Sequence, residues 1–493
     1  MLFSITWHEV LLLINFLIVL ACAVRVLYTQ RNIGTVFAWL IILFAFPMVG
    51  IITYLLIGEA RVGKKRLART ADMKQFYDEF AEKYMSDEQL NATKNIPSTF
   101  QGIERMAQQT TSFGANVHND MQLLTTTDDI IYSMIDDIQQ AKSSCLLAFY
   151  IIDPQGKINE LLHAVKDAAE RGVHCVILAD DLGSSRFFRS EWKTKLEQAG
   201  VFIQNSLPVG LFQTFYSRND LRNHRKILIV DYHIGYTGSF NLVDPILFKQ
   251  DAGIGEWVDV MMRCIGPVVL EMTAVLYADI AVESEDNLQR VKTYLKQKYE
   301  KNQQLITKSE GNITVQVIPS APEQEDSIIY ETILCAIHLA TKRIVITTPY
   351  FVPNEPLLTA LTTAARRGVD VTLILPEKND SNMVRYASQA YFRMLLKHNV
   401  KIAQFKGGLL HAKTLVIDDN FSLFGTVNMD MRSFFLNLEI SLAIYNQEMT
   451  QKIAALQQQY LQQSEYIDET RWLYRSKWWG LVENTIRLMS PLL

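Results

Sequence analysis

One polar triplet occurs twice in this chain, and each copy borders an unbroken apolar run. Residues 223–231 read NHRKILIVD and residues 411–418 read HAKTLVID. Each copy sets a His, a Lys two places later and an Asp five places after the Lys. Apolar runs without alternation are typical of strands that are buried on both faces. Each triplet is therefore predicted to flank a strand of a central sheet.

The segments around the triplets are duplicated as well. Residues 160–180 and 356–376 both read as an amphipathic helix, an Arg-Gly stop and a β-branched strand. Gly172 and Gly368 fall where a helix C-cap glycine belongs. A repeat this long is a duplicated domain rather than a solenoid unit. Strands that alternate with helices predict two tandem α/β units with mainly parallel sheets.

The length allows two or three domains, since the chain has 493 residues of which 49% are hydrophobic and 20% are charged. Its patterning divides it into five parts: a membrane anchor over 1–60, a basic helical linker over 61–115, a first α/β unit over 116–310, a second over 311–470, and an amphipathic tail over 471–493. The tail is rich in Trp and basic residues. It is predicted either to lie in a membrane interface or to pack against the protein.

Two apolar stretches open the chain. Residues 10–24 are apolar except for Asn15, and residues 34–58 contain no charge. The second stretch is long enough to cross about 30 Å of hydrocarbon as a helix, with Pro47 tolerated as a kink. The residues before the first stretch carry a Glu and neither Lys nor Arg, which disfavours a cleaved signal peptide. Two transmembrane helices are therefore expected.

Basic residues cluster where the second apolar stretch ends. The segment EARVGKKRLAR at 59–69 carries five Lys or Arg, whereas Arg25 and Arg31 lie near the short loop between the stretches. Under the positive-inside rule, the large remainder is expected on the cytoplasmic side of the cell membrane, with both termini inside. The same cluster would attract anionic lipid headgroups.

Charge and cysteine usage narrow the chemistry. A net charge of −4 supplies no bulk attraction to nucleic acid, so none is expected as a partner. The five cysteines are scattered without a C-x-x-C pair, which argues against a disulfide framework or a zinc site. We therefore predict neither a metal nor a cofactor.

The His and Lys residues of the triplets are the first catalytic candidates. On an extended chain, residues i and i+2 project to one face, so His224 points with Lys226 and His411 with Lys413. One such match alone would be a weak signal, because His is often a core residue and Lys a solvated strand end. Two matches at equivalent places of a repeat indicate a real site, and Asp231 and Asp418 complete the two triplets.

A small-residue turn follows each triplet. The first reads Gly-Ser-Phe-Asn and the second Gly-Thr-Val-Asn, and the spacing from His to Asn is 17 in both. The turns offer hydroxyls and amides that can hydrogen-bond phosphate oxygens. The candidate phosphate ligands are Ser239, Asn241, Thr426 and Asn428.

Matched aromatic residues end a predicted strand in each repeat. They are Tyr150, with Asp153, and Tyr350, with Phe351. Ligands of α/β proteins bind at the carboxyl ends of sheet strands, so these residues are candidates for substrate contacts, with simple core packing as the alternative.

This inventory suits a phosphodiester that is attacked without a metal. One neutral imidazole can attack phosphorus as a nucleophile, and the other, protonated, can deliver a proton to the leaving alkoxide. The Lys and Asn pairs can hold the charge that develops on the phosphate oxygens. Each unit supplies only half of these groups. The active site is therefore predicted across the interface of the repeats, with the two imidazoles titrating as a coupled pair.

These residues give the chain a resemblance to the phospholipase D superfamily, whose signature is a duplicated H-x-K-x4-D-x6-G-[SG]-x-N. The second half is the more similar, with LHAKTLVIDDN followed by GTVNMDMRSFFLNLE. Together with the two N-terminal apolar stretches, it makes the whole chain resemble the bacterial cardiolipin synthases of that superfamily. The first motif departs from the pattern, since it continues D-Y-H where D-G is expected, so substrate contacts of the first unit are expected to differ from those of the family.

The resemblance implies a double displacement on phosphatidylglycerol. A His would attack, glycerol would leave, and a second phosphatidylglycerol would resolve the phosphatidyl-histidine to cardiolipin. The family favours His224 as the nucleophile, whereas the residues alone leave the choice open. The resemblance also implies that an acidic residue after each motif orients one imidazole. Glu439 fits this role in the second unit and Asp259 in the first, with Glu256 as the rival of Asp259.

The residues also bear on alternative functions for this chain. A hydrolase, or a transferase that uses another alcohol, would need the same catalytic groups. A nuclease is disfavoured by the acidic net charge and the apolar N-terminus. An inactive membrane scaffold is disfavoured by two intact triplets. The residues do not indicate an oligomeric state.

Overall fold

The computed structural model describes residues 7–29, 33–59, 62–84, 92–210, 218, 220–301, 309–324 and 327–487. Arg31, Arg61 and the last six residues of the predicted tail lie outside these ranges. The chain forms two compact units. One comprises residues 1–67 with 209–221, and the other comprises residues 68–208 with 222–493. The first unit carries the predicted membrane anchor, and the second carries both repeats.

The anchor contains three helices instead of the expected two. They are α1 (Trp7–Thr29), α2 (Ile33–Ala45) and α3 (Pro47–Ile57). In the described part of the chain, α1 alone is long and apolar enough to cross a membrane. The stretch expected to form the second crossing is broken at Phe46, whose φ of −135° and ψ of 69° are not helical. Pro47 then begins a new helix, where its missing N–H leaves no donor unpaired.

The remaining helices are amphipathic or buried segments that cover the central sheet. They are α4 (Lys64–Tyr84), α5 (Gln101–Thr111), α6 (Thr127–Gln140), α7 (Lys157–Glu170), α8 (Ser185–Arg189), α9 (Glu191–Gln198), α10 (Val268–Glu283), α11 (Glu285–Lys301), α12 (Ile328–Leu339), α13 (Glu355–Arg366), α14 (Asn382–Lys397), α15 (Met431–Phe435), α16 (Gln447–Gln462), α17 (Glu469–Leu473) and α18 (Lys477–Arg487).

The strands follow the duplicated pattern of the sequence. They are β1 (Asn116–Leu124), β2 (Ser144–Phe149), β3 (His174–Asp180), β4 (Phe202–Ser206), β5 (Ile227–Val230), β6 (Ile234–Gly238), β7 (Trp257–Val258), β8 (Met261–Ile265), β9 (Ile313–Ser320), β10 (Arg343–Thr347), β11 (Phe351–Val352), β12 (Asp370–Pro376), β13 (Lys401–Phe405), β14 (Leu409–Leu410), β15 (Thr414–Ile417), β16 (Phe421–Gly425), β17 (Met429–Asp430), β18 (Glu439–Ile444) and β19 (Ser464–Tyr466).

One continuous sheet of 15 strands runs through both repeats, in the order β19-β13-β12-β10-β15-β16-β18-β9-β1-β8-β6-β5-β2-β3-β4. Reading outward from the centre, β9, β18, β16, β15, β10, β12 and β13 match β1, β8, β6, β5, β2, β3 and β4 in position. The repeats meet where β9 pairs antiparallel with β1. The two units therefore share a sheet and are not separate lobes.

The expectation of mainly parallel sheets is wrong. Within the large sheet only β2–β3, β3–β4, β10–β12 and β12–β13 pair in parallel. The motif strands β5 and β15 are wholly buried, yet they pair antiparallel with both neighbours. Burial on both faces arises because helices cover both sides of the sheet. It does not require parallel neighbours, and a tight turn from β5 to β6 imposes the antiparallel direction.

Equivalent helices of the two repeats end in the same way. Gly172 and Gly368 have φ of 90° and 92°, in the left-handed region that favours glycine. Val173 N–H donates to the Ala168 carbonyl at 3.1 Å, just beyond α7. The predicted glycine C-caps are confirmed.

The linker and the tail both contact the catalytic unit. In the linker, the Arg69 side chain donates to the Val282 carbonyl at 2.8 Å, so α4 packs on α10. In the tail, the Trp479 ring stacks on Tyr386 of α14 with centroids 6.0 Å apart. Of the two alternatives predicted for the tail, the Trp479 ring therefore packs against the protein. Its neighbour Trp478 remains 66% exposed.

Candidate active site

Both His-Lys pairs lie in extended chain immediately before a strand. Lys226 precedes β5 and Lys413 precedes β15. The Lys226 ammonium donates to the His224 carbonyl at 2.7 Å, and the Lys413 ammonium donates to the His411 carbonyl at 2.6 Å. The two pairs therefore share one local geometry, as the duplication predicts.

Each His segment is hydrogen-bonded to backbone of the other repeat. His224 N–H donates to the Leu438 carbonyl at 2.9 Å, and His411 N–H donates to the Val258 carbonyl at 2.8 Å. Arg225, between the His and Lys of the first motif, also donates through Nε to the Glu439 carbonyl at 3.0 Å. The interface of the repeats thus positions both imidazoles, and neither repeat alone completes either one.

The carboxylates beside the imidazoles are exchanged between the repeats. Asp259 of the first unit places Oδ1 2.6 Å from Nδ1 of His411 in the second. Glu439 of the second unit places Oε1 3.2 Å from Nδ1 of His224 in the first. Glu256, the rival of Asp259, is exposed and contributes only its carbonyl, which accepts from Leu409 N–H.

The hydroxyls of the small-residue turns hold these carboxylates. Ser239 Oγ donates to Asp259 Oδ1 at 2.6 Å, and Thr426 Oγ1 donates to Glu439 Oε2 at 2.5 Å. Both hydroxyls are buried, and these bonds direct them at the carboxylates and not at a phosphate.

The amides of the turns are also buried. Asn241 Oδ1 accepts from Ile151 N–H at 3.2 Å, and Asn428 is 3% exposed. Of the predicted phosphate ligands in the two turns, the Asn amides are those still available to a substrate.

The two motif aspartates lie at the far end of their strands. Asp231 accepts backbone N–H groups of Lys142, Ser143 and Ser144, and Asp418 accepts those of residues 341–343. In both cases these N–H groups belong to the start of the neighbouring strand, whereas His and Lys lie beyond its carboxyl end. Asp231 and Asp418, which complete the predicted catalytic triplets, therefore lie away from the His and Lys of their own motifs, and their contacts are with the sheet.

Burial controls the charge of the lysines. It lowers the pKa of Lys226 to about 8 and that of Lys413 to about 7, against the attraction of Glu439 and Asp259. Near neutral pH and without a bound anion, Lys226 is therefore mostly protonated, whereas Lys413 is close to half protonated.

Burial also keeps the imidazoles neutral. It lowers the pKa of His411 to about 4 and lowers the pKa of His224 as well, against the attraction of the paired carboxylates. Burial alone would raise the pKa of the Asp259 carboxyl. Its interactions with His411 and Lys413 outweigh that effect, so the pKa of Asp259 lies below its ordinary value. An ionised Asp259 accepts from Nδ1–H of a neutral His411, which leaves the Nε2 lone pair free.

Further side chains flank the imidazoles. The Tyr150 ring lies 4.2 Å from that of His224, and the Trp257 ring lies 4.5 Å from that of His411. Asn437 places Nδ2 3.1 Å from His224 Nδ1, beside the Glu439 carboxylate. Sequence reasoning missed the contacts of Trp257 and Asn437. The only signal was their place two residues before Asp259 and Glu439, which is the same offset in both repeats.

The predicted partner of Tyr150 in the second repeat is placed differently. Tyr350 is half-buried and donates to Asp380 Oδ1 at 2.7 Å. Among the described residues, no three His, Cys, Asp or Glu side chains converge in a way that could hold a metal ion.

One buried imidazole (His411) and one partly buried imidazole (His224) are each paired with a carboxylate of the opposite repeat, and each lies beside a buried lysine. Such a set of groups suits phosphoryl transfer. The duplicated α/β sheet and the paired motifs agree with the resemblance to the phospholipase D superfamily. Comparison with known proteins agrees. The family model described as "Cardiolipin synthase, PLD-like domain" matches residues 134–247 and 333–461, and a "Phospholipase_D-nuclease N-terminal" model matches residues 17–59.

Similar proteins span nearly the whole chain. Cardiolipin synthase A of Klebsiella pneumoniae (strain 342) is 39% identical over 478 residues, which is 97% of each chain, and cardiolipin synthase A of Escherichia fergusonii shows the same values. The crystal structure of phosphatidylserine synthase from Haemophilus influenzae Rd KW20 superposes with a TM-score of 0.58 at 13% identity, over 80% of this chain and 100% of that one, and shows the shared fold. The chain belongs to the cardiolipin synthase family, phosphatidyltransferases of the phospholipase D superfamily.

Proposed function

We propose that the enzyme condenses two phosphatidylglycerols to cardiolipin and glycerol through a phosphatidyl-histidine intermediate. The observation that carries the proposal is the exchange of carboxylates between the repeats, Asp259 to His411 and Glu439 to His224. It presents two oriented imidazoles with two buried ammoniums in one place. A double displacement needs two such groups, one to bond phosphorus and one to move a proton.

In the first step, Nε2 of one His bonds to phosphorus of phosphatidylglycerol, and the bond from phosphorus to the headgroup glycerol oxygen breaks. The second His gives that oxygen its proton, and glycerol leaves. In the second step, a terminal glycerol hydroxyl of another phosphatidylglycerol attacks phosphorus. Its proton passes to the second His, the P–N bond breaks, and cardiolipin forms. By family resemblance, His224 is the nucleophile and His411 the acid.

The carboxylates make these roles compatible with buried imidazoles. A carboxylate at Nδ1 holds the ring with Nε2 directed at the substrate and stabilises the imidazolium when it forms. Both pKa values are lowered in the free enzyme. A bound phosphodiester brings a negative charge into a buried site, which favours protonation of the acid His and of both lysines.

Lys226, Lys413, Asn241 and Asn428 are proposed to bind the non-bridging phosphate oxygens. The lysines lie two residues from the imidazoles, and the Asn residues follow the turns that hold the carboxylates. In the same proposal Ser239 and Thr426 orient the carboxylates, and Asp231 and Asp418 stabilise the sheet.

A rim of exposed apolar side chains supports a lipid substrate. Leu182 is 57% exposed, Ile246 58%, Leu247 50% and Phe435 38%. Leu182 N–H donates to Asp180, whose other oxygen accepts from Asn223 N–H beside His224. Ile246 and Leu247 closely follow Asn241 of the first turn, and Phe435 closely precedes Asn437. Apolar groups around a charged site suit an enzyme that draws its substrate from a bilayer.

The proposed location of the catalytic unit is the cytoplasmic face of the cell membrane. The basic residues Lys64, Lys65 and Arg66 follow the anchor directly, and such clusters mark the cytoplasmic side and attract anionic lipid. Phosphatidylglycerol is itself anionic, so the same basic cluster would attract the substrate. Anchoring keeps the acceptor lipid concentrated at the covalent intermediate, which favours transfer over hydrolysis.

The test uses detergent-solubilised enzyme with pure phosphatidylglycerol and EDTA, and mass spectrometry of lipids and glycerol. Equal amounts of cardiolipin and glycerol, both lost in His224→Ala and His411→Ala, support the proposal. Phosphatidic acid as the main product would mean a hydrolase. Turnover only after another alcohol or phospholipid is added would mean a transferase with a different acceptor. His398→Ala, at the end of α14, is the matched control and should retain activity.

A further inference from the structure

The helix pair α2–α3 in the anchor doubles back on itself. At 1.5 Å per residue, the 13 residues of α2 extend about 20 Å and the 11 residues of α3 about 17 Å, so neither spans about 30 Å of hydrocarbon. The Gly50 backbone lies against α2. A Cβ built on Gly50 would stand 2.8 Å from the Ile42 carbonyl oxygen and 2.8 Å from Leu43 Cα. In a continuous helix these residues would lie about 11 Å apart along the axis.

The end of α3 lies at the C-terminal end of α1. Arg25 donates through Nε and Nη2 to the two Glu59 oxygens at 2.7 and 2.8 Å. Tyr54 donates to Glu59 at 2.5 Å, and its hydroxyl lies 3.5 Å from that of Thr29. Arg25 lies about 27 Å along α1 from Trp7. If the second stretch crossed the membrane, Glu59 would lie at the level of Trp7 and not at that of Arg25.

We propose that residues 33–57 form a re-entrant hairpin that enters and leaves the bilayer on one face, and that α1 is the single crossing. The partner of the hairpin is the acyl-chain layer of one leaflet. Its exposed side chains are apolar: Phe37 is 61% exposed, Phe44 57%, Phe46 66% and Met48 66%. Phe44, Phe46 and Met48 lie at the tip of the hairpin, and Phe37 lies on its first arm. Both arms remain helical, which satisfies backbone groups in lipid.

The distribution of basic residues supports this arrangement independently. No Lys or Arg precedes Arg25, and Arg25, Arg31, Lys64, Lys65 and Arg66 all follow the apolar part of α1. A single crossing places every one of them on the cytoplasmic side. Two crossings would leave Arg25 and Arg31 outside, so the excess of basic residues on the cytoplasmic side would be smaller than for a single crossing. The N-terminus is therefore external, which replaces the expectation that both termini are inside. This inference does not depend on the reaction catalysed.

The test is cysteine labelling of the full chain in bacterial spheroplasts with a membrane-impermeant maleimide. Cys22 and Cys335 are first replaced by Ser, because Cys145, Cys175 and Cys264 are buried. Single cysteines are then introduced as His8→Cys, Ile33→Cys and Lys64→Cys. We expect His8→Cys to react in intact spheroplasts, and Ile33→Cys and Lys64→Cys to react only after lysis.

The opposite pattern would overturn the proposal, because two crossings expose Ile33→Cys outside and keep His8→Cys with Lys64→Cys inside. A second measurement, which does not depend on cysteine reactivity, decides the topology if labelling is poor. A reporter that fluoresces only in the cytoplasm should be dark when fused to the N-terminus and bright when fused to the C-terminus. Bright signals from both fusions would refute a single crossing. Cardiolipin production by each fusion shows that the chain has folded, and its loss on His411→Ala leaves the topology result unchanged.

Discussion

The Asp259 carboxylate lies 2.6 Å from Nδ1 of His411, and the two residues belong to different repeats. The reciprocal contact joins Glu439 to His224. A tandem duplication usually yields two similar sites. Here the exchange merges the half-sites into one, because no repeat contains both a histidine and the carboxylate that orients it. Loss of any one of the four groups should therefore disable the single site.

Replacing the orienting carboxylate should reduce turnover with little change in fold. For Asp259→Asn we expect kcat to fall about 10²–10⁴-fold, because the amide no longer fixes the His411 tautomer or stabilises its imidazolium. Steady-state assays and thermal unfolding of the same preparation measure both effects. Glu256→Gln is the matched control, since Glu256 is exposed three residues away. Equal loss in both variants would contradict the assignment of Asp259.

The motif aspartates should affect stability more than catalysis. Asp231→Ala removes an acceptor of three backbone N–H groups and the Ser143 hydroxyl, so we expect the free energy of unfolding to fall by about 1–3 kcal/mol. The activity of the folded fraction should remain within about tenfold. Thermal unfolding and active-site titration separate the two. Asp419→Ala is the control, since it removes a half-buried carboxylate that forms ion pairs with Lys342 and Arg343 and, among the described residues, accepts no strand N–H group. A folded but inactive Asp231→Ala enzyme would return this residue to the catalytic set.

Activity should be limited by proton loss from the lysines at alkaline pH. The pKa values of Lys413 and Lys226 are lowered to about 7 and about 8. As pH rises through this range the free enzyme loses positive charge, phosphate binding weakens, and kcat/KM falls. A bound phosphodiester raises both pKa values, so kcat should fall at higher pH than kcat/KM. Profiles from pH 5 to 10 on one lipid preparation check this, and coincident alkaline limbs would argue against phosphate binding by these lysines.

A buried glutamate at the seam of the repeats should make stability depend on pH. Glu271 of α10 is 1% exposed, and burial raises its pKa from 4.5 to about 8. The folded protein holds this proton and the unfolded chain releases it, so the free energy of unfolding falls as pH rises from about 4.5 to 8.

The variant Glu271→Gln cannot lose a proton at this position. Relative to the parent it should gain stability between pH 5 and pH 8.5, by a difference of a few kcal/mol. Thermal unfolding at the two pH values measures the change, with the exposed Glu285→Gln as the control. A difference that does not change with pH would show that Glu271 is not protonated in the folded state.

The apolar rim should matter for lipid in a bilayer and not for dispersed lipid. The double variant Ile246→Ser with Leu247→Ser should lower kcat/KM on phosphatidylglycerol vesicles, because less apolar surface meets the bilayer. Its activity on short-chain, monomeric phosphatidylglycerol should be unchanged. Met394→Ser, at the opposite end of α14 from the site, is the control, since Met394 is 42% exposed. Equal losses on both substrates would assign the rim a structural role.

Sequence periodicity was sufficient to predict the duplication, the helix C-caps at Gly172 and Gly368, and the pairing of each His with the Lys two residues on. These features are local: they depend on backbone geometry and on side-chain spacing over a few residues. Strand direction was not predictable in the same way. Burial on both faces of β5 and β15 results from helices above and below the sheet, and an apolar run is the same in parallel and antiparallel strands.

The N-terminal anchor shows the same limit. An uncharged stretch of 25 residues satisfies the length rule for a crossing, and hydropathy does not register that the chain reverses at Phe46 and Pro47. The contacts of Gly50 with Ile42 and of Arg25 with Glu59 are what distinguish a hairpin from a continuous helix.

By itself, the sequence determined that this chain is a duplicated α/β enzyme with two His-Lys pairs and an apolar N-terminus, because residue type and spacing encode those properties directly. The tertiary structure alone decided which carboxylate serves which histidine, that Ser239 and Thr426 hold carboxylates, and that Asp231 and Asp418 anchor the sheet. These are relations between residues far apart in the chain. They arise only when β9 pairs with β1 and brings the two repeats together.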